Sequence, residues 1–274
     1  VVEHVVLFSG GIGSWAAARR LVERGITPTL LFTDTNMEDE DLYRFLDEAA
    51  ADVGGNLVRV ADGRTPWEVF HDVRFIANSR IDPCSRILKR ELARAWVEEN
   101  GNPETTTVYL GIDWTEEHRL QRARGYWSPF RVEGPMCEPP LMVKPEMIEW
   151  AASRGLTPPR LYEMGFPHNN CGGFCVKAGF ATFALLLRTM PDRYEYHEQQ
   201  EERMREYLGA DVSILKDRRG GGVTPMTLKE FKRRLCVGNV KGLDMGDWGG
   251  CGCMIGDDYD DQGKQLALGL EEER

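Results

Sequence analysis

Nowhere does the sequence hold a run approaching the ~18–20 apolar residues that a bilayer-spanning helix needs. Its first residues pass straight into an apolar stretch, with no basic n-region or cleavage site, so a cytoplasmic protein with no membrane attachment is expected. Positive charge is scarce too: 34 Lys and Arg against 44 Asp and Glu leave a formal net charge of −10. A chain of that sign does not hold nucleic acid through its mean field. A tRNA or DNA partner needs a local basic surface, and residues 80–94 and 216–234 are the two candidate stretches, with solvated helix faces as the alternative reading. No internal repeat is present, which excludes solenoids and propellers. The seven cysteines are odd in number and come without a secretion signal. A disulfide framework is therefore disfavoured, and close cysteine pairs point to metal, cluster or redox chemistry.

What is present has the texture of a folded α/β chain: 42% apolar and 28% charged residues over 274 positions. Apolar runs at 4–8, 29–33, 56–60 and 107–112 read as strands, separated by helical patterns at 15–24, 39–53, 66–77 and 85–100. Such alternation implies βαβ units and a parallel sheet covered on both faces. Right-handed crossovers then gather the loops that follow the strands on one edge. After Trp114 come proline-rich loops, helices at 145–154, 180–187 continuing through 194–208, and 227–235, and a short strand at 212–215. The expected fold class is α/β: a Rossmann-like parallel sheet flanked by helices in residues 1–180, with a mostly helical C-terminal extension in 181–274 that ends in a glycine- and cysteine-rich tail.

The segment Ser9-Gly10-Gly11-Ile12-Gly13-Ser14 lies between the first strand and the first helix. Its glycines permit a tight turn and bring amide N–H groups close to an anion. The helix behind it points its positive dipole end at the same place, and Ser9 and Ser14 add hydroxyl donors. The product is a cradle of phosphate size, without the lysine of a Walker-type loop. A tight turn with no ligand is the alternative. Glu117 and Arg119 follow the fourth strand on the same edge, where Arg119 can hold a phosphate or sulfate bidentately. His118 and His168 have no carboxylate partner in the pattern, and no general base is assigned.

FSGGIGSW (8–15) resembles the SGGxDS loop of the PP-loop superfamily (adenine nucleotide alpha hydrolase-like), which comprises N-type ATP pyrophosphatases and phosphoadenylylsulfate (PAPS) reductases. LFTDTN (31–36) resembles that family's second strand, ending beside adenine and ribose. GIDWTEEHR (111–119) resembles its G-x-x-x-x-E-x-x-R stretch. LYEMGF (161–166), followed by 169–175, resembles a segment of PAPS reductase-like proteins, phage-encoded ones among them. The likeness extends over residues 4–180. It implies a PP-loop/HUP-type fold and an adenine nucleotide, ATP or PAPS with Mg2+. The nucleotide would be held by Ser9, Gly10, Gly11, Ile12, Gly13, Ser14, Phe32, Thr33, Asp34, Gly111 and Arg119. Gly13 stands where the family has its aspartate, a departure that bears on cleavage of ATP more than on its binding. Asp34 or Glu38 is then the candidate carboxylate for ordering magnesium.

Cys171-Gly-Gly-Phe-Cys175 places two thiols in a glycine-bearing loop, and Cys84 opens a helix, where a thiol's pKa is lowered. The stretch 83–89 (PCSRILK) resembles the cysteine-then-basic segment of cluster-bearing PAPS and adenylylsulfate reductases. The resemblance implies an iron–sulfur (4Fe–4S) cluster on Cys84, Cys171 and Cys175, its fourth iron either open or closed by Cys251 or Cys253, with Cys84 and Cys175 as catalytic thiols. Zn2+ on cysteines 171, 175, 251 and 253, or plain buried thiols, are the alternatives. Three functions stay open. One is ATP-dependent adenylation with pyrophosphate release, coupled to cluster-assisted sulfur transfer onto a tRNA, DNA or small-molecule acceptor. The second is PAPS reduction to sulfite, and the third a non-catalytic nucleotide-binding module. A homodimer is compatible with all three.

Overall fold

Five short strands pair in parallel throughout one sheet in the computed structural model, which describes residues 1–250. They are β1 (His4–Leu7), β2 (Thr29–Asp34), β3 (Asn56–Ala61), β4 (Thr107–Tyr109) and β5 (Arg131–Glu133), in the order β3-β2-β1-β4-β5. β1 pairs with both β2 and β4, so the chain reverses its course across the sheet between those two neighbours. The helices are α1 (Ile12–Glu23), α2 (Glu40–Val53), α3 (Pro66–Asp72), α4 (Pro83–Ser85), α5 (Leu92–Asn100), α6 (Glu117–Trp127), α7 (Lys144–Ser153), α8 (Arg160–Glu163), α9 (Phe180–Thr189), α10 (Pro191–Leu208) and α11 (Leu228–Cys236).

Both faces of the sheet are covered, which is why its central strands are apolar at successive positions. Val6 and Phe8 pack with α1, α2 and α7, while Val5 and Leu7 pack with α5 and α6. The pattern Leu42, Phe45, Leu46, Ala49, Ala50, Val53 puts one apolar stripe of α2 in the first layer. Burying a Leu or Phe there contributes about 1.5–3 kcal/mol each. The side chain of Asp39 caps α2 by accepting from the amide of Asp41 at 3.0 Å, and Gly54 ends it at φ 72°.

A third apolar cluster joins α3 and Cys84 to α9, α10 and α11, running from Met37 to Leu243. Against it sits a two-stranded antiparallel ribbon, β6 (Leu215–Asp217) and β7 (Thr224–Met226). No helix among the described residues is long and apolar enough to cross a membrane.

Several boundaries differ from the sequence pattern. The helix expected over 66–77 stops at Asp72, and Arg74 takes a left-handed φ of 52°. The helix expected over 85–100 contains a π-helical segment, Arg86–Glu91. The stretch 180–208 breaks at Met190, because Pro191 lacks the N–H that would continue α9. The strand at 107–112 ends at Tyr109, and the ribbon strand begins at Leu215 rather than 212. β5 and α6 lie in 115–133, where no element was assigned from the sequence.

Candidate functional site

The turn after β1 is built by close packing. Gly10 has φ +74°, and a Cβ there would stand 2.8 Å from Leu42. Gly11 is the N-cap of α1 in extended conformation. Ser14 Oγ donates to Gly11 O at 2.9 Å, and Ser9 Oγ to Ser14 Oγ at 3.3 Å. Two distant residues fasten the turn: the amide of Ile12 donates to the Tyr162 hydroxyl at 3.2 Å, and Asn169 Nδ2 donates to Gly10 O at 2.9 Å.

Gly13 meets Gly111, the residue two places beyond β4. A Cβ on Gly13 would stand 2.6 Å from the Gly111 carbonyl oxygen, and a Cβ on Gly111 would press on the backbone of Gly13 and Ser14. The first turn of α1 therefore lies directly on the β4 loop, backbone to backbone. That contact accounts physically for a glycine where the resemblance expects an aspartate.

A cleft opens above this turn. Ser9, Gly11, Gly13 and Ser14 form its floor, with Thr33 and Gly111 at its sides. Three cations reach it: Lys89, Arg119 and Lys144. Lys89 Nζ pairs with Glu38 at 3.0 Å, Arg119 pairs with Glu116 at 2.5 Å, and Lys144 Nζ donates to Pro167 O. Asn169 is buried in the wall, and its Oδ1 has no hydrogen-bond partner among the described residues. A buried acceptor left so costs about 1–3 kcal/mol unless a ligand supplies a donor. Burial, reinforced by Lys144, pushes the His168 imidazole down to about 4. It is thus neutral near pH 7 and a weak base.

Glu38 ties the surroundings together. One carboxylate oxygen accepts from Thr35 Oγ1 and Lys89 Nζ, both at 3.0 Å, and the other accepts from the amide of Cys171. Cys171, Gly172 and Gly173 are all left-handed, with φ of 50°, 57° and 80°. For the non-glycine Cys171 this conformation is uncommon; the bond to Glu38 helps hold it. Glu38 is therefore occupied as a structural hub.

Seven of the sequence-predicted nucleotide residues line the cleft: Ser9, Gly11, Gly13, Ser14, Thr33, Gly111 and Arg119. The others do not. Gly10 and Ile12 pack inward, Phe32 is 1% exposed with its ring edge-on to Tyr43, and Asp34 Oδ1 accepts from Asn36 N and the Tyr43 hydroxyl, each at 2.8 Å. Burial and that bond to Asp34 raise the Tyr43 phenol above its ordinary value.

Cys84 stands in α4 and packs in the same apolar cluster as Cys175; neither they nor Cys171 line the cleft. Among the described residues no three His, Cys, Asp or Glu side chains gather as a metal-holding group, and Cys251 and Cys253 lie outside those residues. The described residues alone do not complete a ligand set for the cluster or zinc that the resemblance implies, and no step below runs through either.

Lys89, Lys144, Tyr162 and Asn169 were not singled out from the sequence as site residues. Tyr162 and Asn169 fall inside the stretches that carry the resemblance, and Lys89 follows Cys84; Lys144 left no signal.

A parallel sheet of this order, with a polar cleft beyond the carboxyl ends of β1, β2 and β4, defines an open α/β protein of the class that takes ligands at a topological switch point. No protein-family model and no curated protein matches the chain. Among solved structures it is similar to phosphoadenylyl-sulfate (PAPS) reductase from Candida auris in a phosphate complex, at 14% identity over 60% of this chain and 78% of that one, with a TM-score of 0.43. It is also similar to NMN synthetase from Francisella tularensis (14% identity, 76% and 84% covered, TM-score 0.43). The NH3-dependent NAD synthetase from Campylobacter jejuni subsp. jejuni in complex with nitrate gives 15% identity, 78% and 90% covered, and a TM-score of 0.39.

Proposed function

We propose that the cleft binds an adenine nucleotide, with its phosphates against the first turn of α1, and that the nucleotide is ATP used to adenylate an acceptor. The observation that carries this reading is the convergence on one cleft floor of the glycine turn, the N-terminus of α1 and three cations. The α1 end supplies roughly half a positive charge, and Lys89, Arg119 and Lys144 add side-chain cations around it. The unpaired Asn169 Oδ1 is an acceptor suited to a ribose hydroxyl.

In the proposed step an acceptor oxygen attacks the α-phosphorus. The bond from that phosphorus to the α–β bridging oxygen breaks, and pyrophosphate leaves with the bridging oxygen and its electron pair. Charge accumulates on the departing group, where preset amides and cations stabilise it more than they stabilise ATP. Displacement of AMP from the adenylated acceptor by sulfur is the finer form of the proposal, in which Cys84, Cys171 and Cys175 would be the residues to hold an iron–sulfur cluster and the cluster would supply the sulfur chemistry. Anaerobic purification with iron and zinc analysis tests it, and a preparation holding neither metal removes that form.

Calorimetric titration with ATP and with PAPS tests the core reading. Ser14→Ala, which removes two hydrogen bonds within the turn, and Asn169→Ala, which removes the one to Gly10 O, are expected to weaken ATP binding about 5–10-fold. Pyrophosphate release from ATP supports adenylation, sulfite from PAPS supports the reductase, and binding without turnover supports the non-catalytic module. No heat of binding at millimolar nucleotide sinks all three.

A further inference from the structure

A second hollow adjoins the cleft and shares Glu116 and Arg119 with it as a common wall. His118 and Arg122 of α6 line it, with Lys177 from the loop before α9 and Lys216 and Arg218 from the ribbon. Glu116 and Asp247 are the only carboxylates among its described lining residues. In a chain of net charge −10, this is a local reversal of sign assembled from three separate segments.

Of the two basic runs visible in the sequence, only Lys216 and Arg218 of the second line the hollow. Within residues 80–94, Arg86 pairs with Glu91, Lys89 with Glu38 and Arg94 with Glu98. Within 216–234, Arg219 pairs with Asp217, Lys232 with Glu198, Arg233 with Glu230, and Arg234 with both Asp217 and Glu230.

The charges of the hollow are held in place. Lys177, only 12% exposed, lies 3.6 Å from the carboxylate of the buried Asp82, which also faces Arg90 at 3.5 Å. Neither oxygen of Asp82 has a hydrogen-bond partner among the described residues, so this carboxylate acts on Lys177 by charge. Lys216 is half-buried, and burial holds its ammonium below its ordinary pKa, with Arg218 and Arg205 adding to the push against the pull of Glu201 and Asp211. An anion entering the hollow beside Lys216 and Arg218 would favour the charged form of Lys216.

We propose that this groove seats the phosphodiester backbone of a nucleic-acid strand, the acceptor for the chemistry of the adjoining cleft. The proposal rests on the nucleotide reading of that cleft. Cations spread over α6, the Lys177 loop and the ribbon match successive phosphates along a strand better than one compact phosphate ester, which a single bidentate cradle would hold. The shared Arg119 wall sets the strand beside the nucleotide.

The test is fluorescence anisotropy of labelled single strands of about 20 nucleotides, DNA in one arm and RNA in the other, with the full chain at rising salt. Binding is expected to weaken with a log–log slope of about −0.7 per neutralised phosphate. The double variant Lys216→Gln, Arg218→Gln is expected to weaken strand binding roughly tenfold and flatten the slope by about 1.4, with ATP titration unchanged. Should that variant fail to fold, Arg122→Gln tests the same groove from α6. ATP binding without strand binding at low salt overturns the proposal, as does a slope the variants do not change. Saturable binding of inorganic phosphate with no strand binding also overturns it, in favour of a small phosphate ester. Strand binding without ATP binding leaves the groove standing and removes the nucleotide reading.

Discussion

A methyl group at residue 13 has nowhere to go: the Gly111 carbonyl oxygen lies 2.6 Å from where it would sit. Gly13→Ala is expected to cost about 1–3 kcal/mol by overpacking. Thermal melts should show a midpoint several degrees lower, at about 2–4 °C per kcal/mol for a chain this long. An aspartate at 13 would press on the same carbonyl, so Gly13→Asp is expected to lower stability too. The glycine and its departure from the pattern were plain in the sequence. The reason was not, because Gly111 belongs to a different strand–helix unit and only the folded backbone brings the two together. Asn169 was hidden in the same way: a lone carboxamide has no periodicity, and its meaning comes from Gly10 across the fold.

At the scale of elements, α10 carries Glu201 inside the C-terminal core, accepting from the amides of Ile214 at 2.9 Å and Leu228 at 2.6 Å. Burial pushes its carboxyl from an ordinary 4.5 up to about 7, against the pull of those two donors. The folded state therefore holds a proton that the unfolded chain has released, and stability falls as pH rises from about 4.5 to about 7. The loss is on the order of 3 kcal/mol. Chemical denaturation at a series of pH values should show that slope in the wild type. Glu201→Gln should abolish it and lower stability overall, since its amide turns a donor toward one backbone N–H. The main strands and helices were legible from apolar periodicity because a sheet covered on both faces writes itself into sequence. β5 was not: three residues, Arg131–Glu133, are too few to alternate, and pairing with β4 defines them. The π-helical turn around Lys89 and Arg90 was equally silent, since both cations are buried against the distant Glu38 and the nearby Asp82.

For the whole molecule, one apolar cluster carries residues from Met37 to Leu243. Residues beyond 180 thus share packing with the α/β part. A single cooperative thermal transition is expected by calorimetry and by circular dichroism; two separated transitions would mark the extension as an independent unit. Total charge was legible from the sequence and pointed away from polyanions. Its distribution was legible only in part: Lys216 and Arg218 fall in the basic stretch 216–234, most other cations of that stretch and of 80–94 are ion-paired, and Arg122 and Lys177 join Lys216 only through the fold.

The ion pair of Arg119 and Glu116 stands in the partition between the two hollows. One guanidinium cannot give its full field to an anion on each side, and any anion that draws it away leaves Glu116 uncompensated, facing the other occupant. With both proposed ligands seated, the two sites would be thermodynamically linked: each ligand would alter the affinity of the other by the same factor. Such a coupling is the same whichever ligand binds first, so it would show as a shift in either affinity measured in the presence of the other ligand.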